Sequence, residues 1–198
     1  MKIGVLALQG NVIEHKNSLA DAAAKLKLKV EIVEVRKAEQ LAGLSGIILP
    51  GGESTAHSLL LQKYELLEEM KKIPFVFGTC AGLILIAKEV KGLEKGQKTL
   101  ELMDVFVSRN AYGSQLNSFM GELEGKILDK ENVLFIRAPK ILKVGAGVKV
   151  LAKVKETGDI AIIEQEKKEQ YLLGATCHPE MTGSKLTQYF LEKISKKK

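Results

Sequence analysis

The chain is poor in several things, and each shortage closes off a class of function. No apolar run approaches the roughly 20 residues needed to cross a bilayer as a helix, so no membrane span is expected. The chain opens directly on an apolar β-type stretch, without the basic region and cleavage site of a secretory leader. Only two cysteines occur, Cys80 and Cys177. That is no disulfide framework, and it points to a reducing, cytoplasmic setting. The three histidines, His15, His57 and His178, lack metal-ligand spacing, so no metal is expected. Aromatics are scarce, six phenylalanines and four tyrosines, and no stacking motif accompanies the basic residues. Neither a GxxxxGK[ST] loop nor a GxGxxG fingerprint is present, which removes the common phosphate-binding signatures.

What remains has the profile of a soluble globular protein, 45% apolar and 27% charged. A length of 198 residues suits one full hydrophobic core, and no linker or repeat divides the chain, so residues 1–198 are expected to form a single domain. The net charge of +6 is local. Lys193, Lys196, Lys197 and Lys198 crowd the last six residues, and the other 192 residues hold 26 basic and 24 acidic groups. A frayed, solvated lysine tail explains the excess more simply than a stripe for nucleic acid.

The first half alternates between two periods. Residues 2–8, 30–35, 47–49 and 75–77 read as strands. Residues 12–28, 54–72 (in one piece or two) and 80–88 read as helices, the first with Leu19, Ala22, Ala23 and Leu26 at helical spacing. This alternation predicts an α/β fold with a doubly wound, largely parallel, flavodoxin-like sheet and helices on both faces. Past Gly92 come shorter β-type runs at 103–107, 133–136, 148–154, 160–164 and 171–176, and residues 183–194 read as a closing helix. Sites in such sheets form outside the carboxyl ends of the strands. Gln9-Gly10, the segment 50–54 and the segment 78–82 all fall at such ends, so three separate signals converge on one edge.

The most informative of the three is Phe75-Val76-Phe77-Gly78-Thr79-Cys80-Ala81-Gly82-Leu83-Ile84-Leu85-Ile86-Ala87. An apolar strand-type run enters Gly-Thr-Cys-Ala-Gly and a helix-type run leaves it, the pattern of a nucleophile elbow with cysteine in place of serine. A tight strand-to-helix turn strains its central residue and demands small neighbours two positions away, here Gly78 and Gly82. The turn also sets Cys80 at a helix N-terminus, where the dipole favours thiolate over thiol; an ordinary thiol, with a pKa of about 8.5, is only a few per cent ionised at neutral pH. A buried cysteine in a plain strand-turn-helix fits the same five residues, so a second signal must decide.

That signal is His178-Pro179-Glu180, after the apolar run Tyr171-Leu172-Leu173-Gly174-Ala175-Thr176-Cys177. A cysteine nucleophile needs a base within hydrogen-bond reach, and the base needs a third group to orient it. In extended backbone, positions i and i+2 project to one side, which lets Glu180 stand in line with His178, and Pro179 stiffens the arrangement. By the same alternation Cys177 faces away and reads as a core residue. The third signal is Ile47-Ile48-Leu49-Pro50-Gly51-Gly52-Glu53-Ser54-Thr55, a strand ending in a glycine pair, with Ser54 or Thr55 as the expected cap of the next helix. The glycines let backbone N–H groups approach a ligand, so Gly52 and Ala81, the residue after the nucleophile, form the expected oxyanion hole.

Taken together, Gly4-Val5-Leu6-Ala7-Leu8-Gln9-Gly10 with Glu14-His15, the segments 50–55 and 78–87, Arg109-Asn110-Ala111-Tyr112-Gly113, Phe135-Ile136-Arg137-Ala138-Pro139 and His178-Pro179-Glu180 resemble the class I, triad-type glutamine amidotransferases. Within that class they are most similar to the glutaminase subunits of pyridoxal 5′-phosphate synthase, along essentially the whole chain. The resemblance implies hydrolysis of L-glutamine with Cys80, His178 and Glu180 as the triad. It implies glutamine binding by Gly52, Glu53, Ser54, Arg109, Ile136 and Arg137, and a partner-facing role for Gln9. It further implies a hetero-oligomer with a synthase subunit that accepts the ammonia, pyridoxal phosphate being the product of that complex and no cofactor being needed here. Ser114 stands where many relatives carry arginine. Two other readings share these residues: a related hydrolase or amidotransferase serving another acceptor, and a non-catalytic binding module, against which the complete triad counts.

Overall fold

The computed structural model describes residues 1–109, 111 and 118–197. Among these, strands β1 (Lys2–Leu6), β2 (Glu31–Val35), β3 (Gly46–Leu49) and β4 (Phe75–Thr79) alternate with helices α1 (Val12–Lys25), α2 (Ser54–Lys63), α3 (Leu67–Met70) and α4 (Ala81–Ile86). Then come β5 (Ala87–Lys91), β6 (Met103–Ser108), β7 (Phe119–Gly125), β8 (Asn132–Phe135), β9 (Lys140–Val144), β10 (Val148–Val154), β11 (Ile160–Glu166), β12 (Tyr171–Ala175) and α5 (Lys185–Lys196). One sheet runs β2-β1-β3-β4-β12-β11-β10-β7-β8 and a smaller one β5-β6-β9. From β2 to β12 the neighbours in the large sheet are parallel. From β12 to β8 they are antiparallel.

The parallel strands are covered on both faces, and their sequences show it. β3 (GIIL) and β4 (FVFGT) are buried at every position, as expected where helices flank a sheet on both sides. Side-chain alternation then divides the core in two. Ile48 and Phe77 pack with Leu19 and Ala22 of α1 and Phe190 and Leu191 of α5. Ile47, Leu49 and Val76 pack on the opposite face with Leu61 of α2 and Leu83 and Leu85 of α4. The expected α/β architecture with helices on both faces is what the structure has.

The boundaries differ in instructive ways. The first helix stops at Lys25, and Lys27 turns the chain with φ 54°. The 54–72 helix is in two pieces, separated by Glu65 at φ 55°. The helix expected through residue 88 ends at Ile86, and from Ala87 the chain becomes β5, parallel to β6. Residues 83–87 are all buried, and a fully buried apolar run carries no period to separate helix from strand. β5, β7 and β9 were not expected from the sequence. Two of the tail lysines are not frayed: Lys193 lies 2.9 Å from Glu164 and Lys197 3.3 Å from Glu166, tying α5 to β11. Asn110, Tyr112, Gly113, Ser114 and Lys198 lie outside the described residues. No helix among the described residues is long and apolar enough to cross a membrane.

Candidate active site

Between β4 and α4 sits Cys80, with φ 50° and ψ −105°, a conformation that costs a non-glycine residue about 1–3 kcal/mol. Two backbone hydrogen bonds hold it there: its N–H donates to Ala175 O at 2.8 Å, and its carbonyl accepts from Ile84 N–H at 3.2 Å. The flanking glycines are a matter of space. A Cβ on Gly78 would stand 2.4 Å from Gly82 O, and one on Gly82 would stand 1.9 Å from Leu49 O. The elbow pattern is thus a steric requirement of threading a helix back over β3 and β4. Cys80 Sγ lies 3.8 Å from Ile136 O.

β12 lies beside β4 with Ala175 opposite Thr79, so the chain leaving β12 passes the elbow. His178 N–H donates to Leu134 O at 2.8 Å, fastening the turn to the end of β8. Glu180 is not extended as the sequence suggested. Pro179–Met181 is a 3₁₀ turn, closed by Met181 N–H to His178 O at 3.2 Å, because Pro179 supplies a helical φ and no N–H at the first position of the turn. The two side chains meet nevertheless, with His178 Nδ1 2.8 Å from Glu180 Oε1. Burial works against a charged imidazole, yet hydrogen bonds to Cys80 and Glu180 outweigh it and raise His178 to about 10. Burial likewise opposes ionisation of Glu180, but the hydrogen bond from His178 and the nearness of His15 hold its carboxyl below the usual range. At neutral pH this is an imidazolium between an ionised carboxylate and the Cys80 sulfur.

The glycine loop closes the site from the other side. A Cβ on Gly51 would stand 2.3 Å from His178 Cε1, so only glycine lets the loop pass the ring. Gln9 clasps the loop, donating through Nε2 to Glu53 O at 2.8 Å and accepting from Glu53 N–H at 3.3 Å. The cap of α2 is Glu53, not Ser54 or Thr55. Its carboxylate accepts from Thr55 N–H at 3.0 Å and Ala56 N–H at 2.7 Å, and an anion there also meets the positive end of the helix dipole. Arg109 is largely buried, its Nη2 3.1 Å from Thr55 Oγ1 and 3.3 Å from Glu53 Oε1. Its Nη1 donates to Gln97 Oε1 at 2.7 Å and Gly92 O at 3.0 Å.

These parts enclose a cleft of about 170 Å³ lined by Gly52, Glu53, Ser54, Cys80, Ala81, Arg109, Ile136, Arg137 and His178. That is well under the roughly 300–1,000 Å³ of a drug-sized site, and the mixture of a guanidinium, a carboxylate and backbone groups suits a small zwitterion. Glu180 is buried behind His178, and Gln9 stands outside the lining as a brace. Sequence reasoning missed Asn11 in the lining and Gln97 behind Arg109. It also gave no role to His15, whose spacing from Leu19 and Ala22 marks it as part of the buried face of α1.

A cysteine on a strained elbow, facing a buried histidine–glutamate pair across the carboxyl edge of a parallel sheet, is the arrangement of a triad-type glutamine amidotransferase. Comparison with known proteins agrees. The chain belongs to the SNO glutamine amidotransferase family, which matches residues 5–196. It is 45% identical to the pyridoxal 5′-phosphate synthase subunit PdxT of Dehalococcoides mccartyi (strain BAV1), over 97% of this chain and 96% of that one. It is 42% identical to the protein of the same name from Pyrococcus horikoshii, over 98% and 100%. A crystal structure of a glutamine amidotransferase superposes with a TM-score of 0.82 at 38% identity, covering 98% of both chains.

Proposed function

We propose that this chain hydrolyses L-glutamine to L-glutamate and ammonia, and passes the ammonia to a synthase subunit that makes pyridoxal 5′-phosphate. One observation carries the reading: Cys80 and His178 line the cleft, with Glu180 paired to His178 behind it, in a chain 42–45% identical, along nearly its whole length, to proteins named as subunits of that synthase. Cys80 thiolate attacks the side-chain amide carbon. The N–H groups of Gly52 and Ala81 take the oxyanion, and the His178 imidazolium protonates the departing nitrogen. Ammonia leaves and a glutamyl thioester remains. Neutral His178 then takes a proton from water as the water attacks the thioester carbon, and collapse of that adduct returns thiolate and imidazolium. Glu180 orients the ring throughout. Arg109, with Glu53, Ser54, Ile136 and Arg137, grips the amino-acid end of glutamine; a guanidinium binds an α-carboxylate through two parallel hydrogen bonds.

The chain acts as a single domain within a cytoplasmic hetero-oligomer and needs no cofactor of its own. The partner gates it. Gly52 sits at φ 144° and Gly51 O accepts a long hydrogen bond from Asn11 N–H at 3.4 Å, so the Gly51–Gly52 peptide can turn, and Gln9, braced on the next residue, transmits contact with the synthase. An oxyanion donor is worth roughly 10²–10³ in rate, enough for a switch. The test is steady-state ammonia release at saturating glutamine, titrated with purified synthase subunit. A rise of that order supports the reading, and no hydrolysis with or without the synthase overturns it.

A further inference from the structure

His15 is a titratable group that none of these steps uses. It stands in α1, fully buried, its ring perpendicular to that of Phe77, 6.2 Å between centroids at 87°. Its Nε2 is 2.9 Å from Thr79 Oγ1 and 3.5 Å from Glu180 Oε1. Its Nδ1 has no hydrogen-bond partner among the described residues, and neither has Glu180 Oε2. Burial depresses the ring's pKa, against the pull of Glu180 and with the push of His178, Glu14 on its own helix adding a smaller favourable charge. The ring is therefore neutral and carries one proton. A proton on Nδ1 would be a buried donor without an acceptor, and would turn the Nε2 lone pair toward a carboxylate. A proton on Nε2 leaves only an unmatched lone pair, which costs less.

We infer that His15 is a positioning residue of this site: a neutral Nε2–H donor spanning Thr79 and Glu180, which locks the acid behind His178 to the strand that carries Cys80. The inference rests on the glutaminase reading and deepens it. Glu180 Oε1 receives the Nδ1–H of His178 at 2.8 Å, but its second oxygen is unpaired and it rides on a turn of three residues. Little else fixes the carboxylate's rotation. A neutral donor does so without cancelling the charge that holds His178 protonated, as a charged His15 would. Thr79 precedes the nucleophile directly, so the contact sets acid and sulfur in one frame.

The experiment is long-range ¹H–¹⁵N spectroscopy of the full chain labelled with ¹⁵N-histidine, its three imidazoles assigned by single substitutions. In the unsubstituted protein His15 is expected to show the neutral Nε2–H pattern from pH 7 to 9; a cationic ring or an Nδ1–H tautomer in that range overturns the proposal. In His15→Leu, which keeps bulk and removes the donor, Glu180 loosens. The pH at which His178 loses its proton should then fall by about one unit, with kcat down about tenfold and KM for glutamine within about twofold. His15→Gln, whose amide nitrogen reaches the place of Nε2, should restore most of both. A folded His15→Leu with an unmoved His178 titration overturns the proposal. If His15→Leu does not fold, Thr79→Val is read instead: a smaller shift in the same direction supports the contact, and no shift overturns it. Glu180→Gln separates the two levels. If it lowers the His178 titration while His15→Leu does not, the role of His15 alone fails; if it moves nothing, the triad fails with it.

Discussion

Two strand ends lie side by side on the active edge, and each leads into a cysteine. β4 and β12 are parallel neighbours with Thr79 opposite Ala175; Cys80 follows the first at once, and Cys177 follows the second by two residues. Both thiols are free and buried. After β4 the chain turns through φ 50° into α4, and Cys80 lines the cleft beside His178. After β12 the chain stays paired, Thr176 N–H donating to Ala161 O at 2.9 Å. Cys177 then joins the apolar cluster under α1 and α5, where burial pushes its thiol well above the ordinary value. On the proposed mechanism the chemistry of that end belongs to the next residue, His178. Residue type and place on the sheet are nearly the same at the two ends. What differs is one backbone turn and the partners it brings within reach, and on the proposed mechanism these separate a nucleophile from a core side chain.

The comparison is broken most severely at the elbow. Cys80→Ser is expected to lower glutamine hydrolysis by about 10⁴-fold or more, with a thermal midpoint within a few degrees of the parent, because a sulfur facing the cleft contributes little to packing. Ammonia release in the synthase complex and a melting curve check the two halves. His178→Asn should cost about 10³–10⁴-fold, and Glu180→Gln less, about 10²-fold, because the acid orients the ring and carries no proton. A silent Glu180→Gln beside a severe His178→Asn would reduce the triad to a dyad.

The same pair predicts a pH signature in stability. His178 has its folded value raised to about 10 from 6.5, so its contribution is fully present below pH 6.5 and is lost as the pH rises through 10. Glu180, held below its ordinary value, contributes above that value and loses the contribution in acid. Thermal unfolding of the parent and of His178→Asn should differ most near about pH 6 and converge toward about pH 10. The smallest effect on activity belongs to the other strand end. Cys177→Ala should leave ammonia release within about twofold while destabilising the fold by about 1–2 kcal/mol, the loss of a buried sulfur from a packed cluster. Activity lost without stability in Cys177→Ala would erase the contrast.

How far this was legible in the sequence follows from the range of each cause. The elbow was legible because the residues it constrains, Gly78 and Gly82, fall within five positions of one another, even though the obstacle to a side chain at Gly82, Leu49 O, lies on the neighbouring β3. The parallel half of the sheet was legible because its strands are uninterrupted apolar runs divided by amphipathic helices. His178 and Glu180 were paired for a reason that did not hold, extended backbone, and met through a 3₁₀ turn instead. The cap was misplaced by one or two residues, since Ser54 and Thr55 outrank glutamate as caps but Glu53 is also drawn toward Arg109. β5 was hidden in a buried run without a period. His15 and Gln97 were invisible because their partners, Glu180 and Arg109, are distant in sequence or matter only through a third group.

The central claim is that Cys80, and not Cys177, carries the glutamyl group. The most direct test is to treat the folded protein, with and without its synthase partner, with a glutamine-like electrophile such as a diazoketone analogue, and to locate the adduct by peptide mass spectrometry. The account predicts one adduct per chain, on Cys80, formed faster in the complex, suppressed by excess glutamine and absent in His178→Asn over the same interval. Predominant modification of Cys177 in folded protein, or labelling of Cys80 indifferent to glutamine, would contradict it.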